Sequence, residues 1–134
     1  MKRFLPVILF ALSLAIFAGC GNQNPNVDAE RHVERTIGTL SVMTIENEMN
    51  VRFSMTMDVR LRERDVRAFD RQYRQSAQRI IESVEAIMFA ATPEERMDPR
   101  LETIREKSQQ VINEILGTPW VQLVIITGVT LEAN

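Results

Sequence analysis

Met49-Asn50-Val51-Arg52-Phe53-Ser54-Met55-Thr56-Met57-Asp58-Val59-Arg60-Leu61 alternates apolar and polar side chains without a break. In an extended chain successive side chains point to opposite faces, whereas a helix returns to the same face only every 3.6 residues. The stretch therefore reads as a strand with one buried face, and the odd-numbered positions from Met49 to Leu61 are expected in a core. Immediately upstream, Arg35–Ile45 is rich in Thr, Val and Ile, residues that suit a pleated surface, although its alternation is less regular. With Glu46–Glu48 as a tight turn, the two segments make an antiparallel hairpin.

Downstream of the hairpin the period changes. Val66, Phe69, Tyr73, Ala77, Ile80, Ile81, Val84, Ile87 and Met88 fall within one arc at 100° per residue, which predicts a long amphipathic helix from about Glu63 to Ala91. Thr92-Pro93-Glu94-Glu95 is a helix-start signature, with a capping hydroxyl, proline at the first position and a glutamate three residues on. Asp98-Pro99 repeats the signal, so a short turn at 93–96 and a second helix over Pro99–Leu116 are expected, closed by Gly117 and Pro119. Trp120–Leu131 is a nearly continuous run of Val, Leu, Ile and Thr and reads as a strand buried on both faces. Strand, strand, helix, helix, strand is the order of a small α+β domain, an antiparallel or mixed sheet with helices on one face.

The N-terminal region is of another kind. Lys2 and Arg3 precede an apolar run, and Phe4–Gly19 is too short for the roughly 20 residues of a comfortable membrane span, so export and processing are expected. Phe17-Ala18-Gly19-Cys20 resembles a lipobox, in which the cysteine is acylated and becomes the first residue of the mature chain. Cys20 is the only cysteine, which excludes an internal disulfide. Gly21–Asp28 is polar and contains Pro25, the composition of a flexible spacer. The expected organisation is a signal peptide at 1–19, an acylated Cys20 and spacer at 20–32, and one domain at 33–134, lipid-anchored in the cell membrane and facing the periplasm.

Arg64–Glu132 resembles the periplasmic domain of the flagellar basal-body-associated FliL family. The likeness rests on the long helix, its small-polar break, the acidic-Pro segment, the helix ending Val111-Ile112-Asn113-Glu114-Ile115-Leu116, and the Val/Ile-rich final strand. The Ile112-Asn113 pair followed by Leu116 is its most characteristic part. The resemblance implies a stomatin-like fold and a non-enzymatic scaffold that oligomerises around the flagellar motor stator beside the basal body. The family's uncleaved transmembrane helix is replaced here by the lipobox-like segment. The alternative is a generic envelope lipoprotein with a stomatin-like scaffolding domain and no flagellar role.

Residue chemistry points the same way. His32, the only histidine, has no cluster of acids or cysteines at ligand spacing, so no metal is expected. Gly117 and Gly128 are isolated and make no phosphate loop, and no cofactor is expected. Glu94-Glu95 and the Glu82/Glu85 pair sit where solvated helix acids ordinarily sit, so no catalytic residue is assigned. A formal net charge of −2 and 6% aromatic residues speak against nucleic-acid binding.

Charge is unevenly spread. Arg60, Arg62, Arg64, Arg67, Arg71, Arg74 and Arg79 stand against only Glu63, Asp65 and Asp70, whereas residues 80–134 are acid-rich. Arg64, Arg67, Arg71 and Arg74 recur at helical spacing, and with Trp120 they are the interaction candidates. The stripe is expected to mate with the acidic region of a second copy, head to tail. The alternatives are contact with lipid headgroups and, most plainly, a solvated flank with local pairs such as Arg67–Asp70.

Overall fold

The computed structural model describes residues 30–134; the signal-like segment, Cys20 and the spacer up to residue 29 lie outside the described residues. Strands β1 (His32–Glu46) and β2 (Met49–Arg62) lead through a 3₁₀ turn at Glu63–Asp65 into helix α1 (Val66–Ala90), followed by α2 (Pro93–Met97), α3 (Glu102–Leu116) and strand β3 (Val121–Ala133). The sheet is antiparallel throughout, in the order β1-β2-β3. Helices α1 and α3 pack together over one face, α1 beneath β1 and α3 beneath β3, so the domain is α+β.

The alternating stretch is the central strand. Phe53, Met55, Met57, Val59 and Leu61 are fully buried against Phe69, Ile80, Val84 and Met88 of α1 and Ile104, Ile112 and Leu116 of α3. Burying a side chain such as Phe53 contributes about 1.5–3 kcal/mol. The even positions carry the solvated face, where Thr39–Thr56 and Ser41–Ser54 hydroxyls bond across strands at 3.1 and 2.8 Å and Arg60 meets Glu34 at 3.0 Å. Met49 departs from the expectation: it is 49% exposed, because the hairpin tip projects past the helices that cover Val51–Leu61.

The less regular alternation of β1 has a definite cause. Thr36 pairs with Asp58 and Gly38 with Met57, so Ile37 is an extra residue, a β-bulge, and Gly38 takes φ 141°. The inward parity switches there, from Val33 and Arg35 to Leu40, Val42 and Thr44. Tyr73 of α1 donates its hydroxyl to the Ile37 carbonyl at 3.2 Å, and burial pushes the Tyr73 pKa above its ordinary value. Both strands run beyond the expected bounds, and His32 begins β1 one residue before the expected domain start. Asn47 and Glu48 close the hairpin with φ of 50° and 66°, the left-handed pair a two-residue turn of matching twist requires.

Two further expectations are corrected. β3 is an edge strand, not one buried on both faces: Val121 and Val124 face the helices, whereas Thr127–Ala133 is exposed. Its apolar run misleads because Leu123 and Ile125 lie on the outer face opposite Arg60 and Asp58. A further bulge at Gly128, φ 58°, shifts the register against Ser54 and Thr56. Helix α3 starts at Glu102 rather than Pro99, because Leu101 is left-handed (φ 47°) and Asp98 caps from outside, its carboxylate accepting the N–H groups of Arg100 (3.0 Å) and Glu102 (2.9 Å). The 93–96 segment is a helix with both capping-box bonds formed between Thr92 and Glu95.

Candidate functional site

The topology gives the domain two unlike ends. One, the base, gathers the start of β1, the end of β2, the N-terminus of α1 and the α3–β3 connection. The other, the apex, gathers the hairpin tip, the end of α1, α2, the start of α3 and the end of β3. β1 is 15 residues long, so the two ends lie about 45 Å apart.

At the base, Glu30 sits 3.5 Å from Arg62 and 3.4 Å from Arg64, and the Glu63 N–H donates to the Arg31 carbonyl at 2.8 Å. Glu30, the first described residue, therefore lies at the base. Arg62 also bonds Asp65 at 3.0 Å. Trp120 is at this end as well, since its neighbour Val121 pairs with Leu61; it is half-buried and packs against the core. Asn113, from the pair singled out in the sequence, fastens α3 to the first residue of β3. Its amide accepts the Val121 N–H at 2.9 Å and donates to the Val121 carbonyl at 3.1 Å. Gln109 donates to the Val121 and Gln122 carbonyls at 3.2 and 3.3 Å, where a register shift at Arg60/Leu61 disturbs the ladder. This pair of amides sets where Trp120 stands.

The basic stripe opens onto the flank of α1 that rises from the base. Arg67, Arg71 and Arg74 line a concavity of about 660 Å³ with Asp70 and Gln75. The expected Arg67–Asp70 pair is not formed. Asp70 instead takes Arg35 of β1, at 3.1 and 3.3 Å, because the bulge leaves Arg35 on the inward parity facing α1. Among the described residues, Arg67, Arg71 and Arg74 make no salt bridge; Arg74 spends its Nε–H on the Asp70 carbonyl at 3.2 Å. Arg64 is tied to Glu30 and stands apart from the concavity.

The apex is organised by Arg96, which the sequence reading passed over. Its side chain is buried, yet it donates to Glu46, to Thr44 Oγ1 (3.4 Å) and to the Phe89 carbonyl (3.2 Å), while its Nε has no partner. Burial lowers its pKa. A cleft of about 670 Å³ lies beside it, bounded by Met43, Ile45, Asn47, Phe89 and Pro93. Ile45, Phe89 and Met97 are exposed around this end. The five-residue α2 is too short for periodicity to reveal an inward arginine, so no sequence signal marked it.

His32 is exposed at the start of β1, and the described residues contain no group of three or more His, Cys, Asp or Glu placed to hold a metal. Glu82 accepts a bond from Gln78, and Glu95 is engaged in its capping box. Cys20 lies outside the described residues, and no described helix is long and apolar enough to cross a membrane. Comparison of the chain with protein-family models and with curated proteins finds no match.

Proposed function

We propose that this chain is a non-enzymatic scaffold, tethered through an acylated Cys20 and facing the periplasm, that self-associates beside the flagellar motor stator. The observation that carries the tethered-scaffold reading is the attachment of Glu30 at the base. Glu30 lies at the base, so a tether through Cys20 joins the domain at that end. Copies anchored in one plane are held side by side, which favours lateral association. The outer edges of β1 and β3 run along the axis and are unpaired among the described residues, the surfaces by which sheets recruit further strands.

The flagellar role rests on the resemblance of Arg64–Glu132 to the FliL family, which Asn113 supports only in part by giving its most characteristic position a structural task. Deletion should slow swimming in a flagellated host, and complementation with Cys20→Ser should fail to restore it while abolishing lipid labelling. Labelling that persists in Cys20→Ser would end the anchor reading. Unchanged swimming with normal labelling would favour an envelope scaffold without a motor role.

A further inference from the structure

We propose that the Arg67–Arg71–Arg74 concavity docks the domain on anionic phospholipid headgroups, a second membrane contact beside the tether. The inference rests on the tethered reading above. Three arginines converge on one open concavity, and among the described residues no carboxylate neutralises them, the nearest acid, Asp70, being committed to Arg35. Uncompensated guanidinium groups at this spacing fit a field of phosphates, each fork able to take two oxygens of one group.

Position selects lipid over protein. α1 begins at the base, and Arg74 lies only about 12 Å along it from Val66. Between Cys20 and Glu30 the chain spans at most about 35 Å when fully extended, so an acylated Cys20 holds this flank within reach of the headgroups. In a neighbouring copy Glu94, Glu95 and Asp98 belong to the apex with Glu46 and Glu48, and Glu82, Glu85, Glu102, Glu106 and Glu114 are spread along α1 and α3, so its acids form no single patch at the level of the stripe, whereas a headgroup layer presents a continuous field of phosphates. The stripe thus lies toward the tethered end, where an anionic surface attracts it once the flank comes within a Debye length of about 8 Å at physiological salt.

The test uses the full acylated chain in vesicles of phosphatidylcholine, with or without an equal part of phosphatidylglycerol. A fluorophore on Gln75→Cys, inside the concavity, is quenched by a lipid carrying a nitroxide on its headgroup; the same fluorophore on Met97→Cys reports the apex. Strong quenching at position 75 is expected only with phosphatidylglycerol, and little at position 97. Each arginine strengthens binding to an anionic surface about fivefold, so R67Q/R71Q/R74Q should weaken docking about 100-fold and return the signal to the phosphatidylcholine level, as should molar salt. Inorganic phosphate should act no more strongly than its ionic strength. Equal quenching in both vesicles, or quenching that survives the triple substitution, overturns the proposal. So does a triple variant that loses self-association while its lipid-dependent quenching is unchanged, which marks the concavity as a protein contact. Flotation with phosphatidylcholine vesicles reads the tether separately; a chain that fails to float refutes the anchor, while vesicle-dependent quenching still decides the concavity.

Discussion

Replacing Asn113 by alanine removes the buckle between α3 and β3 and should cost more than its half-buried position suggests. Two bonds are lost, of 2.9 and 3.1 Å, but they are not equivalent. The Val121 carbonyl keeps Gln109 as a donor, whereas the Val121 N–H, on a residue 1% exposed, is left without a partner. An unsatisfied buried donor costs about 1–3 kcal/mol, so a loss of about 2 kcal/mol is expected, or roughly 10 °C in Tm for a domain of this size. Asn113→Asp should also destabilise, since a carboxylate accepts the N–H but sets a negative oxygen against the carbonyl. Gln110→Ala, one turn back, removes only an exposed bond to Glu114 and should stay within about 0.5 kcal/mol. Urea titration of residues 30–134 followed by the fluorescence of Trp120, the only tryptophan, reports directly on the adjoining residue. If Asn113→Ala unfolds at the same urea concentration as Gln110→Ala, the buckle contributes nothing and Trp120 is placed by core packing alone.

Phe53→Asp should abolish the folded state in circular dichroism, because Phe53 has 0% exposure and belongs to the apolar core, while Arg52→Ala on the outer face should stay within about 0.5 kcal/mol. Arg96→Ala should destabilise by about 3 kcal/mol in the same titration, since it strips Glu46 of its partner and leaves the Phe89 carbonyl and the packing of the hairpin tip unsupported; Arg100→Ala, which is exposed, should not. The backbone N–H groups of Glu102 and Arg100 hold the Asp98 carboxyl below its ordinary value. The unfolded chain thus takes up that proton first, so the contribution of Asp98 is full above about pH 4 and is lost as pH falls toward its depressed native value; Asp98→Asn should flatten the acid limb of a stability–pH curve.

The periodicities in this chain are local quantities, and they determined the elements. Unbroken alternation makes Val51–Leu61 a one-sided strand wherever it is placed, and the arc from Val66 to Met88 makes α1 amphipathic before anything packs on it. The Thr92–Glu95 cap and the Gly117 stop were legible because each is completed within one turn of chain. Everything that depends on a neighbour distant in sequence waited for the tertiary structure. β3 carries the composition of a doubly buried strand, yet a sheet covered on one side leaves its outer face to solvent. The bulge at Ile37 shows in sequence only as irregular alternation, but it turns Arg35 toward Asp70 and thereby leaves Arg67, Arg71 and Arg74 without a carboxylate. Arg96 is buried because strand and helix close over it from positions up to 52 residues away in the chain. The basic stripe itself was visible at helical spacing. Which way it faces relative to the tether was not, because that direction is a property of how α1 is laid along the sheet.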